Sequence, residues 1–243
     1  MRATNKVVKR RKLIAAFLGA AALAGLLCGI YFMNFSPDRS RYPVRGVDVS
    51  RHQKIIDWPR VARDDVSFAI IKATEGGDWV DPLFQKNLRE ARAAGLAVGA
   101  YHFYRFCKSG AEQARNFLAA APPDASLLPP VVDIEFSGNC PHRPSGQAFE
   151  KELMAFLDIV EPAYGKEAVI YIIGEAEEIY GTALPPRRRW ARSLLAHPGH
   201  DRWIYWQYHN MGRVDGIVGD VDLNVLKGDD KILRGFASAS VRR

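Results

Sequence analysis

The chain carries one long apolar stretch without charge, Leu13 to Met33, LIAAFLGAAALAGLLCGIYFM, 21 residues. At about 1.5 Å of rise per residue, a helix of this length reaches about 30 Å, the thickness of one bilayer core. Residues 34–43 are polar, carry two prolines and read as a linker. Beyond them, short apolar runs alternate with amphipathic stretches. VRGVDVS (44–50), SFAIIKATEG (67–76), AVGAYHFYRF (97–106), PPVVDIEF (129–136) and AVIYIIG (168–174) read as strands. Helical spacing of apolar positions appears over 82–95, 110–121 and 145–165, and more briefly over 174–181. Residues 188–195, 202–209 and 216–226 read as three further strands with little helix between them.

Strand–helix alternation implies a parallel sheet, so the fold class is α/β. Eight strands in about 200 residues suit a closed or nearly closed TIM-like barrel. The last three strands lack room for full crossover helices, so that side is expected to be irregular. A doubly wound open sheet is the structural alternative. The expected organisation is a basic segment over 1–12, a transmembrane signal anchor over 13–33, the linker over 34–43, a barrel domain over 44–228 and a tail over 229–243. That tail is expected to be short, basic and loosely ordered.

Charge changes the picture only at the N-terminus. Of 34 Lys/Arg and 27 Asp/Glu, seven and one respectively fall in residues 1–40, leaving 27 and 26 for residues 41–243. A nearly neutral body argues against a nucleic-acid partner. Six basic residues precede the apolar run, which places the N-terminus in the cytoplasm and the body outside, in the periplasm or extracellular space. A cleaved signal peptide is the rival reading, but FSPDRSRYP after the run lacks a clear small-x-small cleavage site. Two cysteines, Cys107 and Cys140, lie in the body. In an oxidising compartment they form a disulfide or remain two unrelated thiols.

No G-x-G-x-x-G, P-loop or Cys/His set at zinc spacing occurs, so neither nucleotide nor metal chemistry has sequence support. What does recur is hydrogen-bonding residues at strand C-termini, where a parallel barrel gathers its reactive side chains. The first strand ends with Asp48, Ser50 and His52, the second with Lys72, Thr74 and Glu75, the third with Tyr101, His102 and Tyr104. The fourth ends with Asp133 and Glu135. Tyr171, then Trp206, Gln207 and Tyr208, then Asp222 and Asn224 follow on later strands. Residues i and i+2 of a strand face the same side about 6.6 Å apart, so Asp133 and Glu135 project into one pocket. Neighbouring carboxylates push each other's proton affinities apart, which leaves one as an acid and one as an anion. That pairing serves glycosidic-bond cleavage. Taken singly, such acids are as readily helix caps or salt-bridge partners, and the aromatic residues are as readily core. The convergence of Asp48, Asp133, Glu135 and Asp222 is what favours chemistry.

The stretches RGVDVSRHQKIIDW (45–58), FAIIKATEGGDWVDPLFQKNLREARAAGLAVGAYHFYRF (68–106), PPVVDIEF (129–136) and WIYWQYHNMGRVDGIVGDVDLNVL (203–226) carry a resemblance. Together they are similar to the glycoside hydrolase family 25 lysozymes, the Chalaropsis-type muramidases. The resemblance implies an irregular (β/α)5β3 barrel and cleavage of the β-1,4 bond between N-acetylmuramic acid and N-acetylglucosamine in peptidoglycan. It implies Glu135 as general acid, and Asp133 stabilising charge or orienting the 2-acetamido group. Asp48 and Asp222 would tune the pocket, and Tyr101 and Trp206 would bind sugar. Tyr171, Gln207, Lys72, Glu75 and His102 complete the expected substrate-binding set. Two places depart from the family's habit: IYIIG at the fifth strand, and Arg192 and Ser193 at the sixth. The expected enzyme needs no metal or cofactor, works as a monomeric catalytic domain, and meets peptidoglycan strands and, through residues 13–33, a membrane. The alternative is a catalytically weak or inactive peptidoglycan-binding module that tethers membrane to wall.

Overall fold

The computed structural model describes the backbone of residues 2–199 and 202–238. The chain divides into two compact units, Met1–Ser36 and Pro37–Arg243. The first is one helix, α1 (Arg2–Asn34). It begins well before the apolar run, because Lys and Arg are themselves good helix formers. Its segment Leu13–Asn34 is long and apolar enough to cross a membrane, and its apolar window is not buried; a signal sequence shares these properties.

In the second unit, β1 (Arg45–Val49), α2 (Trp58–Arg63), β2 (Phe68–Glu75), β3 (Trp79–Val80), α3 (Phe84–Ala93), β4 (Ala97–Phe103) and α4 (Gly110–Ala120) come first. They are followed by β5 (Val131–Ile134), α5 (Gly146–Tyr164), β6 (Val169–Ile172), α6 (Gly174–Tyr180), β7 (Arg189–Arg192), β8 (Trp203–Gly212), β9 (Val221–Leu226) and α7 (Asp230–Ser238). The sheet runs β1-β9-β8-β7-β6-β5-β4-β2 and closes through β1–β2, with β3 a two-residue appendage on β2. The first five barrel strands, β1, β2, β4, β5 and β6, each lead through a helix to the next strand, whereas no helix lies between β7, β8 and β9, which is the (β/α)5β3 pattern. The expected closing strand over 216–226 is shorter than its apolar pattern, and β9 runs antiparallel to both β8 and β1. A loop of eight residues between β8 and β9 cannot make a parallel crossover, so the chain turns back as a hairpin.

Strand alternation sorts the core into two layers. Val47, Val49, Ile71, Val132, Ile134 and Ile170 face outward against Phe117 of α4 and Phe149 and Phe156 of α5. Phe68, Ile70, Val131, Val169, Trp190 and Tyr205 fill the barrel interior. Gly46 faces that interior, and a Cβ there would collide with the Phe68 ring. Gly110 opens α4 where it crosses α5, so closely that a Cβ would strike the Glu152 carbonyl. The helices start on side-chain caps: Ser109 accepts from Glu112 N, and Ser145 accepts from Ala148 N. Helix α5 ends on Gly165 in the left-handed region, φ 60°.

The tail is not loosely ordered over 230–238. There α7 packs Leu233 and Phe236 against Val44, Phe68, Val131 and Val169, at the ends where the strands begin. It plugs the N-terminal mouth of the barrel and leaves the other mouth for a site. Buried Lys166 donates to the carbonyls of Ala125, Leu127 and Ala237, tying α7 to the wall. The last residues of the tail, 239–243, lie outside the described set. Cys107 and Cys140 form a disulfide between the loops after β4 and β5.

Candidate active site

Most inward positions near the strand C-termini carry polar side chains, with Phe103 at the end of β4 an apolar exception under Lys72. On β1 the inward residue is Asp48, and its direct cross-strand partner on β9 is Asp222. On β5 it is Asp133, and Glu135 follows two residues on, just past the strand end. Strand β2 would place only alternate residues inward, but the register shifts between Lys72 and Thr74. This bulge inserts one residue, so Lys72 and Glu75 share a face and pair at 2.9 Å.

A hydrogen-bonded chain fixes Asp48. Its Oδ2 accepts from Asn224 Nδ2 at 2.7 Å and Gln207 Nε2 at 3.1 Å. Tyr171 Oη donates to Gln207 Oε1 at 3.0 Å, and Trp190 Nε1 donates to Asn224 Oδ1 at 2.8 Å. Each amide therefore has one orientation, and both turn their N–H groups on Asp48. The donors support the anionic form of Asp48, although burial still lifts its pKa to about 6. Among the described residues no amide donates to Asp222. Burial first, and the Asp48 charge second, push it up to about 9, so of this coupled pair Asp222 has the higher proton affinity.

Asp133 is raised well above the ordinary carboxylate range by burial and by the Glu135 charge, against the pull of Lys72. Its Oδ1 is buried without a hydrogen-bond partner. Glu135 is also raised by burial, while Arg192 and then Lys72 pull it down. Tyr101 stands among the four acids: burial, then Asp133, Asp48, Asp222 and Glu135, keep its hydroxyl protonated. The structure thus brings Asp48, Asp133, Glu135, Asp222, Tyr101, Tyr171, Gln207 and Lys72 to one end of the barrel. The arrangement gathers carboxyls of raised proton affinity beside the amide-bonded Asp48, with Lys72 and Arg192 as nearby cations. Among the described residues, no set of three His, Cys, Asp or Glu side chains is placed to hold a metal.

Two expected substrate contacts, His102 and Trp206, are placed elsewhere, and a third, Glu75, is held in ion pairs. His102 alternates with Tyr101 and so points outward, fully buried, between Thr74 Oγ1 at 2.7 Å and Gln113 Oε1 at 3.0 Å. Its ring stacks on Phe156, and burial lowers its pKa to about 4. Trp206 alternates with Gln207; it is buried on the outer face among Tyr42, Trp203 and His197, and its Nε1 donates to Ser193 O at 2.8 Å. Glu75 faces the cleft but is held by Lys72 and by Arg105 at 2.8 Å. Two cleft residues were not singled out for a role. Arg192 ends β7 with its charge on three of the acids, and its signal was the basic run RRRWAR. Asn139 had no sequence signal. It donates to Glu135 O at 2.9 Å and to Tyr104 O at 2.6 Å, and it accepts from Phe106 N at 3.2 Å, which locks the turn that carries Glu135.

Comparison with known proteins identifies the family to which this barrel belongs. The sequence pattern of Glycosyl hydrolases family 25 matches residues 47–217. The chain is 33% identical over 221 residues to Lysozyme M1 of Streptomyces globisporus, an alignment covering 80% of this chain and 71% of that protein. It is 37% identical over 226 residues to the uncharacterized protein YegX of Escherichia coli O6:H1, covering 85% and 80%. Among solved structures, a family 25 glycosyl hydrolase from Bacillus anthracis superposes with a TM-score of 0.76 at 36% identity, covering 84% of this chain and 96% of that one. With the family pattern spanning β1 to the β8–β9 loop and the acids gathered at the barrel's open mouth, this chain belongs to glycoside hydrolase family 25.

Proposed function

We propose that the protein is a muramidase that cleaves the β-1,4 bond between N-acetylmuramic acid and N-acetylglucosamine in peptidoglycan. Glu135 is the general acid. Its carboxyl proton passes to the glycosidic oxygen as the bond from that oxygen to the anomeric carbon breaks, and the positive charge that develops on the sugar is stabilised by the Asp48 anion. Water then adds at the anomeric carbon and its proton returns to Glu135, so the cycle balances without a further reactant. Asp133 orients the sugar's 2-acetamido group. The observation that carries this reading is the pairing of a partnerless buried Asp133 Oδ1 with a Glu135 raised by burial, two residues apart on one face.

The full-length protein in detergent, incubated with peptidoglycan, is expected to release muropeptides ending in reducing muramic acid, identified by mass spectrometry. Glu135→Gln should abolish release while the melting temperature holds. Turnover by that variant near the wild-type level would remove Glu135 from its role. Co-sedimentation of the wild type with sacculi, with no cleavage at all, would favour a binding module. We further infer that α1 anchors the enzyme in the membrane with Pro37–Arg243 on the outer side, as its basic flank and uncharged core support. Protease added to intact cells should then remove the barrel and leave α1 with the membrane fraction.

A further inference from the structure

Beside the acid cluster lies a cavity of about 320 Å³ that no step of the proposed reaction uses. Its wall includes Arg51, Lys72, Trp79, Arg105 and Lys108, with Glu75 and Asp78 as the only acids. Lys72 belongs to both places: it lines the cavity, and its charge reaches Asp133 and Glu135. A substituent on a sugar in the cleft would therefore be within reach of the cavity.

The charges do not cancel. Glu75 is fully engaged, with one oxygen on Lys72 at 2.9 Å and the other on Arg105 at 2.8 Å. Among the described residues Lys108 pairs only with Glu112, at a loose 3.8 Å and outside the wall. The Arg51 guanidinium lies over the Trp79 ring, 5.5 Å from its centroid, and makes no ion pair among the described residues. Exposed Asp78 leaves an excess of two positive charges on the wall. Arg51 presents a planar fork suited to a carboxylate, and Lys108 adds a point charge. Trp79 gives the cavity an apolar side fit for a small alkyl group. Cys107 also lines the cavity, and its bond to Cys140 holds the loop that carries Lys108. Neutral sugar rings have no use for this excess charge. The peptides attached to muramic acid carry free carboxylates on short, small-residue chains.

We propose that the cavity formed by Arg51, Trp79 and Lys108 binds a free carboxylate of the peptide substituent on the muramyl sugar, making the enzyme selective for peptide-bearing, negatively charged strands. This rests on the muramidase reading above. The test compares two substrates with the full-length protein in detergent: peptide-bearing glycan strands, and the same strands with peptide carboxylates converted to neutral amides. Wild type should show kcat/KM at least tenfold lower on the amidated strands, through KM. Arg51→Ala/Lys108→Ala should bring the ratio below threefold, with the rate on amidated strands within twofold of wild type. Arg51→Lys/Lys108→Arg should keep the preference. If the alanine pair melts lower than wild type, Arg51→Gln alone, at an exposed position, serves in its place. Equal rates of wild type on both substrates, or a preference that survives in the neutralised variants, would overturn the proposal. Failure of wild type to cleave either substrate would instead remove the muramidase reading beneath it.

Discussion

Asp222→Asn should make the protein more stable at neutral pH and less active. The folded state keeps a proton on Asp222 up to about pH 9, whereas the unfolded chain releases it near 3.8. A carboxyl raised in this way costs stability wherever the unfolded state is ionised and the folded state is not. The sign follows: there is no penalty below the unfolded value, and the penalty grows from about pH 4 to pH 9. At about 1.36 kcal/mol per pH step, the ceiling at pH 7 is about 4 kcal/mol. Asp222 is only half-buried and shares its proton with Asp48, so solvent and coupling reduce this to about 2 kcal/mol. Asparagine keeps the shape and supplies an N–H to Asp48 in place of the shared proton. For a domain of this size, about 2 kcal/mol corresponds to a rise in melting temperature of roughly 4–8 °C. Thermal unfolding of wild type and variant at pH 7 and pH 3.5 measures the effect. The gain should be present at pH 7 and absent at pH 3.5. Equal gains at both pH values, or a loss at pH 7, would show that Asp222 is not held protonated by its surroundings.

Removing the disulfide with Cys107→Ser/Cys140→Ser frees a loop closed across a sequence separation of 33. Loop entropy puts the cost at about 3–4 kcal/mol, so urea unfolding midpoints should fall accordingly, and reductant should have no further effect on the variant. Arg192→Ala removes the largest influence holding Glu135 down. The acid then stays protonated to higher pH, and the alkaline limb of the pH–rate profile should move upward; a downward shift would separate Arg192 from Glu135. Lys166→Met strands the carbonyls of Ala125, Leu127 and Ala237. A loss of about 2 kcal/mol is expected, with early hydrogen exchange in α7, whereas an unchanged exchange pattern would mean that apolar packing alone seats α7.

The strand–helix alternation, and with it the closed barrel, was legible because local hydrophobic periodicity encodes which residues alternate and which repeat every 3.6 positions. Asp133 and Glu135 were legible as a same-face pair for the same reason. Parity also misled when it was not applied. His102 and Trp206 stand next to inward residues, Tyr101 and Gln207, and therefore face the other side of the sheet, where Phe156 and Tyr42 cover them. Helix α7 was missed because its nine residues carry only a few apolar anchors, and those matter only against an open barrel floor.

The sequence by itself determined the order of the eight barrel strands and of helices α3 to α6, the apolar N-terminal helix and the list of acids at strand ends, because each of these is set within a few neighbouring residues. Only the tertiary structure decided that β9 runs antiparallel and so places Asp222 directly against Asp48. The same is true of the bulge after Lys72 that turns Glu75 into its partner, and of the two amides that give Asp48 its charge. Proton affinities depend on burial and on groups far apart in the chain, so which carboxyl holds a proton is settled by the closing of the barrel and by no local pattern.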